Sequence, residues 1–359
     1  LFERDLFRPA FARPSIKRED KGLAELRAGG KLVSTFRDHA LMTDTGPLFV
    51  SSGDLIGDRR YKAAVELAGR GDFVAAADLL AQTVEIAPGF ATAWFALGAI
   101  RDRLGDRDGA VAAFEAASRA DPDDYHGARL QLARLGAGAA APAMSEPYLR
   151  RLFDQYAARY DAALSEHLHY RGPALLRDAV ESALRRLGRA MRFSSLLDLG
   201  CGTGLAGAAF RSVVERLVGV DLSAAMIARA QAKSLYDRLV VGDVADFLAD
   251  ENANGAKYDL VLAADVFVYV NDLAPMLIGI ARVLAPAGIV AFTVETHSGA
   301  GTALLPTLRF AQSEAYLRDV IAAAGLQLLT LEPAAIRTEK AAPVAGLVIV
   351  AGGRGAGGN

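Results

Sequence analysis

The stretch Leu196 to Leu205, LLDLGCGTGL, constrains this chain more than any other, because an apolar run ends in three alternating glycines, Gly200, Gly202 and Gly204. Such a run, followed by an Ala-rich helical pattern, reads as strand, tight turn and helix. Glycines in the turn admit left-handed backbone, and they let N–H groups at the helix start approach a ligand with no Cβ in the way.

Two ligand classes compete for that turn. Gly202, Gly204 and Gly207 spell GxGxxG, and Asp221 follows Gly202 by 19 residues, near the spacing of a dinucleotide site. Asp198, two residues before Gly200, opposes that reading. At roughly 6 Å and an effective dielectric of about 20, a carboxylate beside a pyrophosphate costs on the order of 2 to 3 kcal/mol before screening. S-adenosylmethionine carries an ammonium and a sulfonium, so the same acid attracts it while backbone N–H groups face its carboxylate. Asp198 therefore favours the methyl donor. Cys201, within the turn, is grouped with the binding positions and reads as a small buried spacer.

The residues downstream extend the pattern. After a helix over roughly Leu205 to Glu215, the run Leu217 to Asp221 reads as a second strand, with Asp221 placed to accept from ribose hydroxyls. Ser223 can cap the next helix, whose first turn carries Met226, either an adenine-packing side chain or ordinary core. The run RLVVGD (Arg238 to Asp243) is a third strand ending in an acid, and Asp243 is the candidate for the adenine amino group. Tyr258 to Phe267 is near-continuously apolar, as a buried parallel strand should be, with Asp265 towards its carboxyl end.

Together these motifs resemble a class I S-adenosylmethionine-dependent methyltransferase over Leu196 to Val294. The resemblance implies Asp221 and Leu222 at the ribose, Asp243 and Val244 around adenine, and Ala264 and Asp265 beside the methionine moiety. Gly288 to Glu295 follows as a fifth strand, and Leu326 to Leu331 with Val344 to Val350 as a terminal antiparallel hairpin. Ahead of the glycine motif, Phe153, Tyr156, Ala157 and Tyr160 share one helical face. The segment resembles the lid helix of small-molecule methyltransferases, which implies Tyr160 at the sulfonium and Tyr156 at the acceptor.

A repeat precedes the linker. Gly71-Asp72 recurs as Gly105-Asp106, Ala76 as Ala110, and Pro88 as Pro122, each 34 residues on. Trp94, Leu97, Gly98, Ala110, Phe114, Ala117 and Pro122 resemble the tetratricopeptide pattern, a stack of helical hairpins. Gly98 lets helices approach, Phe114 fills the groove between units, and Tyr125 to Gly136 reads as a capping helix. The fold class is thus α/β, a Rossmann-like methyltransferase sheet, mostly parallel with a terminal antiparallel strand, behind a small all-α repeat domain. The divisions are 1–56 unassigned, 57–136 repeats, 137–144 a flexible linker and 145–359 the methyltransferase domain. The whole resembles bacterial methyltransferases that carry such repeats.

Composition excludes several classes. Lys plus Arg total 40 against 42 acids, so no basic field announces nucleic acid. The five histidines and one cysteine give no zinc spacing, so no metal is expected. No run reads as a membrane span, and the first residues, LFERDLFR, are charged with no signal-peptide core. A lone cysteine suits a reducing compartment, and a cytoplasmic location is expected. The missing initiating Met reads as a fragment, a processed chain or a misassigned start.

The expected function is methyl transfer from S-adenosylmethionine to an unidentified small-molecule or protein acceptor, with the repeats engaging a protein partner. Catalysis needs no mandatory residue, since positioning does most of the work. Tyr160, His169 and His297 are candidates, with His167 also near the lid. The strand-4 end, AADVF (Ala263 to Phe267), lacks the Asn/Asp-Pro-Pro-aromatic signature of enzymes that methylate nucleic-acid amines. A repeat scaffold with a regulatory cofactor domain, and an NAD(P)-dependent oxidoreductase, are the alternatives.

Overall fold

The computed structural model describes residues 49–140, 144–160, 170–339 and 342–353. The first part is a stack of helices, α1 (Leu55–Gly69), α2 (Phe73–Ile86), α3 (Ala91–Arg103), α4 (Arg107–Ala120) and α5 (Ala128–Arg134). The 34-residue period repeats the punctuation of these helices as well as their faces. Gly71 and Gly105 turn the chain at φ +86° and +81°, and Asp72 and Asp106 then cap α2 and α4 by accepting from the N–H groups of Ala75 and Gly109. Small residues set the interhelical distance: a Cβ on Gly98 would lie 2.8 Å from the Phe114 ring, which is fully buried. Ala64, Ala76, Leu80 and Ala110 are likewise sealed inside.

Beyond α6 (Glu146–Tyr156) and α7 (Gly172–Arg186) comes the sheet: β1 (Phe193–Leu199), β2 (Val214–Asp221), β3 (Arg238–Val241), β4 (Tyr258–Ala263), β5 (Leu284–Thr296), β6 (Thr302–Leu304), β7 (Phe310–Gln312), β8 (Gln327–Glu339) and β9 (Ala342–Gly352). Its order is β3-β2-β1-β4-β5, all parallel, after which β9 pairs antiparallel to β5 and β8 to β9. The helices between strands are α8 (Leu205–Phe210), α9 (Ala224–Ala232), α10 (Val244–Ala253), α11 (Ala274–Val283) and α12 (Glu314–Ala323). One face of the sheet packs on α7 and α8 through Leu176, Val180, Leu184 and Phe210. The other packs on α10, α11 and α12 through Phe247, Leu277, Ile280 and Leu317.

Several expected boundaries move. The helix after the glycine turn ends at Phe210, and β2 begins at Val214 rather than Leu217. The fourth strand stops at Ala263, because Asp265 adopts left-handed backbone at φ +62°. The terminal hairpin spans Gln327–Glu339 and Ala342–Gly352, longer than expected, and β6 and β7 are additional strands too short to show periodicity. The helix expected as a lid is α6, followed by a tighter turn at Ala157–Arg159. Met144, at the end of the expected flexible linker, is buried beside Leu130, Tyr148, Leu308 and Phe310, and its N–H donates to the Tyr269 carbonyl at 3.1 Å.

Candidate cofactor site

The strand order reverses at β1, whose neighbours are β2 and β4, and a crevice at such a switch point opens beyond the strand carboxyl ends. There the structure has a cavity of about 510 Å3. Each strand delivers one part of its wall. Gly200 and Gly202 follow β1, Asp221 and Leu222 follow β2, Asp243 and Val244 follow β3, and Ala264 and Asp265 follow β4. Met226 contributes from α9, and Tyr160 and Phe153 close the cavity from the α6 side.

The glycine turn is shaped as its sequence requires. Gly200, Gly202 and Gly204 all have positive φ, at +59°, +54° and +90°. A Cβ on Gly200 would meet Val266 at 2.6 Å, so the position is restricted by packing as well as by backbone. Asp221 is tied to the turn, accepting from the Gly202 N–H at 2.8 Å and the Ser223 N–H at 2.9 Å. Burial nevertheless pushes its carboxyl up to about 6.

Three expected binding positions stand off the wall: Asp198, Cys201 and Gly204 are not among the residues facing the cavity. Asp198 is buried behind the turn, where one oxygen accepts from the Tyr236 hydroxyl at 2.6 Å and the other has no hydrogen-bond partner. Burial pushes Asp198 up to about 7. Cys201 is buried with its thiol pushed up, an inert spacer. Gly204 caps α8 and makes room for Tyr236.

The catalytic candidates separate. Tyr160 faces the cavity, but burial, with Tyr269 and Asp265 nearby, raises its hydroxyl well above its usual value, so it is a neutral hydrogen-bonding group and not a base. His297 is used by its own turn, with Nδ1 accepting from the Gly299 N–H at 3.1 Å and Nε2 facing the Gly301 carbonyl at 3.2 Å. It does not reach the cavity wall. His167 and His169 lie outside the described residues.

Sequence reasoning missed a buried ionic cluster beneath Asp265. Arg337 donates from Nη1 to both Asp265 oxygens at 2.9 and 3.1 Å and from Nε to Glu339 at 2.8 Å, and it also pairs with Glu295. Arg309 joins through Glu339. Burial opposes ionisation of Glu339, but the two guanidiniums outweigh it and hold the carboxyl down at about 2. Asp154 was also missed: it accepts from the Ser223 hydroxyl at 2.6 Å and so fixes α6 to the start of α9. Tyr269, which packs edge-on against Phe153 at 5.4 Å, completes the aromatic end of the cavity.

The wall is predominantly acidic. Among the described residues, Glu146, Asp221, Asp243, Asp265 and Asp272 face it together with Arg282, and Asp265 is itself paired with Arg337. No group of His, Cys, Asp and Glu among the described residues could hold a metal. No helix among them is long and apolar enough to cross a membrane.

The fold is a Rossmann-like, mostly parallel α/β sheet with a cavity at its strand carboxyl ends, carried behind a stack of helical hairpins. Residues 197–292 match the methyltransferase domain family and residues 67–135 match the tetratricopeptide repeat family. The chain is 33% identical over 120 residues to a malonyl-[acyl-carrier protein] O-methyltransferase of Pseudescherichia vulneris, covering 33% of this chain and 45% of that protein. It is 32% identical over 95 residues to a ubiquinone biosynthesis O-methyltransferase of Rhodopseudomonas palustris strain TIE-1, covering 26% and 37%. The chain thus spans less than half the length of either relative. Among solved structures, a magnesium protoporphyrin IX methyltransferase from Synechocystis with bound S-adenosylhomocysteine aligns with a TM-score of 0.44 at 15% identity, over 57% of this chain and 98% of that one.

Proposed function

We infer that this chain transfers a methyl group from S-adenosylmethionine to a small-molecule or protein acceptor, and that its repeats serve as a protein-interaction module. The observation that carries the reading is Asp221, held at the end of β2 by the Gly202 N–H and facing the cavity, where a carboxylate accepts from two vicinal hydroxyls. S-adenosylmethionine, when bound, supplies a methyl group on a sulfonium that is already an activated leaving group.

The chain's own residues bind and orient. Asp221 and Leu222 hold the ribose, Met226, Asp243 and Val244 the adenine, and Gly200, Gly202, Ala264 and Asp265 the amino-acid end. Phe153, Tyr160 and Tyr269 exclude water from the reacting end, and the Tyr160 hydroxyl, neutral at physiological pH, donates or accepts a hydrogen bond there. Alignment of the acceptor supplies most of the rate. The acidic wall repels phosphodiesters, which supports a small-molecule or protein acceptor over nucleic acid.

Calorimetric titration of the full chain with S-adenosylmethionine, with NADH and NADPH as parallel ligands, tests the reading. Selective binding of the methyl donor, weakened about tenfold or more by Asp221→Ala, is the expected result, since hydrogen bonds to a charged group are worth about 1.5–3 kcal/mol. Binding of a nicotinamide instead, or of neither by folded protein, overturns it. A positive result licenses an acceptor screen with labelled methyl.

A further inference from the structure

Among the described residues of the cavity wall, Asp265 alone other than glycine has left-handed backbone, at φ +62°. Such a conformation persists where surrounding contacts hold it. Two groups do so here. The Asp265 N–H donates to the Thr293 hydroxyl of β5 at 2.9 Å, and Arg337 Nη1 donates to both carboxylate oxygens at 2.9 and 3.1 Å.

Arg337 is aimed at Asp265 by an irregularity in its own strand. Between Ala335 and Thr338, β8 advances three residues while β9 retreats two, from Ala345 to Pro343, so β8 carries one extra residue. A bulge of this kind redirects the side chains it contains. It sends a guanidinium that is only 2% exposed past β9, which lies between β8 and β5, to reach Glu295 on β5 and Asp265 beyond β4. Glu339, at the end of β8, takes the remaining Nε–H at 2.8 Å. Arg309 completes the cluster by pairing with Glu339 and lying 3.7 Å from Glu295.

A guanidinium on Asp265 alone would cancel the charge that it shows the cavity. Glu295 and Glu339 prevent that. With the three acids ionised against two guanidiniums, the cluster keeps one negative charge in excess. Burial pushes Glu295 up and both guanidiniums oppose it, while Glu339 is held down at about 2. Of the five members Asp265 faces the cavity, and the other four stand behind it.

We propose that Arg337 is a positioning residue for the amino-acid end of S-adenosylmethionine: it fixes the Asp265 carboxylate towards the ligand's ammonium, and Glu295 and Glu339 keep the charge presented there negative. Arg337 acts through Asp265 and does not itself touch the ligand. The inference rests on the cofactor reading above and assigns the residues that orient one end of that cofactor.

Calorimetric titration of the full chain with three adenosine ligands tests it. S-adenosylmethionine carries the ammonium and the sulfonium, S-adenosylhomocysteine the ammonium alone, and 5′-methylthioadenosine neither. Arg337→Lys keeps the positive charge and loses the planar fork. Glu295→Gln keeps the shape and removes one negative charge. Each variant is titrated at a temperature where circular dichroism shows it folded. S-adenosylmethionine and S-adenosylhomocysteine should both bind about tenfold more weakly to each variant, on the scale of a hydrogen bond to a charged group, while methylthioadenosine changes by less than about twofold. Equal weakening of all three ligands marks a merely structural role and overturns the proposal. Weakening of S-adenosylmethionine alone, which places the effect at the sulfonium, also overturns it, as does unchanged binding of all three; each of these leaves the cofactor reading standing. Failure of the unaltered chain to bind S-adenosylmethionine and S-adenosylhomocysteine overturns the cofactor reading, and this inference with it.

Discussion

Tyr236 and Asp198 meet at 2.6 Å behind the glycine turn, and that single hydrogen bond joins the loop before β3 to the end of β1. The Tyr236 ring fills the space that Gly204, Gly207 and Gly219 leave open. The carboxyl is buried and pushed up to about 7, against about 3.9 for an unfolded Asp.

Because its folded value lies above its unfolded one, Asp198 costs the folded state nothing below about pH 4 and an increasing amount up to about pH 7. Asp198→Asn removes that titration and keeps an acceptor for Tyr236. The melting temperature of the variant minus that of the unaltered chain should rise between pH 5 and pH 8, by a stability difference on the order of a few kcal/mol. A difference flat with pH refutes the assignment.

In the proposed site, Asp221 gives cofactor binding its own pH dependence. With a carboxyl pushed up to about 6, the site is only partly ionised in mild acid. Affinity for S-adenosylmethionine should climb between about pH 5 and 7, by up to about tenfold per unit below the midpoint. Calorimetry in buffers of different ionisation enthalpy at pH 6 should detect release of a fraction of a proton.

Arg337 is almost completely buried among Asp265, Glu295 and Glu339. Replacing it with Ala leaves those carboxylates competing for Arg309 alone, and the loss should be about 3–5 kcal/mol. Arg337→Lys should recover only part, since one ammonium cannot match a planar fork with three partners. Urea unfolding measures both.

Gly98 and Phe114 set the spacing of α3 and α4. Gly98→Val should destabilise the repeats by at least about 1–3 kcal/mol through overpacking, and Phe114→Leu placed with it should restore part of the loss. Thermal unfolding of the two variants tests this coupling.

The glycine turn, the acids at the ends of β2 and β3 and the 34-residue period were all legible, because each depends on short-range spacing that the local backbone preserves. The ionic cluster was not. Arg337 reaches Asp265 across 72 residues and Glu295 across 42, and only the antiparallel pairing of β9 with β5 and β8 brings them together. Tyr236 lies in a loop with no periodic signal. Asp198 was legible as an unusual acid, and strand alternation gives its side of the sheet but not its burial behind the turn.

Helix α6 belongs to two neighbourhoods at once. Arg151 stacks on the repeats and Ser145 bonds to the Asp124 carbonyl, while Phe153 and Asp154 serve the cofactor wall. A cut between repeats and sheet, wherever it is placed, would strip one flank of this helix and expose the oily seam of Leu130, Met144, Tyr148 and Phe310. The two modules can be told apart by their sequence signatures, but they cannot be exchanged like cassettes. Either half, grafted elsewhere, would need a new companion for α6.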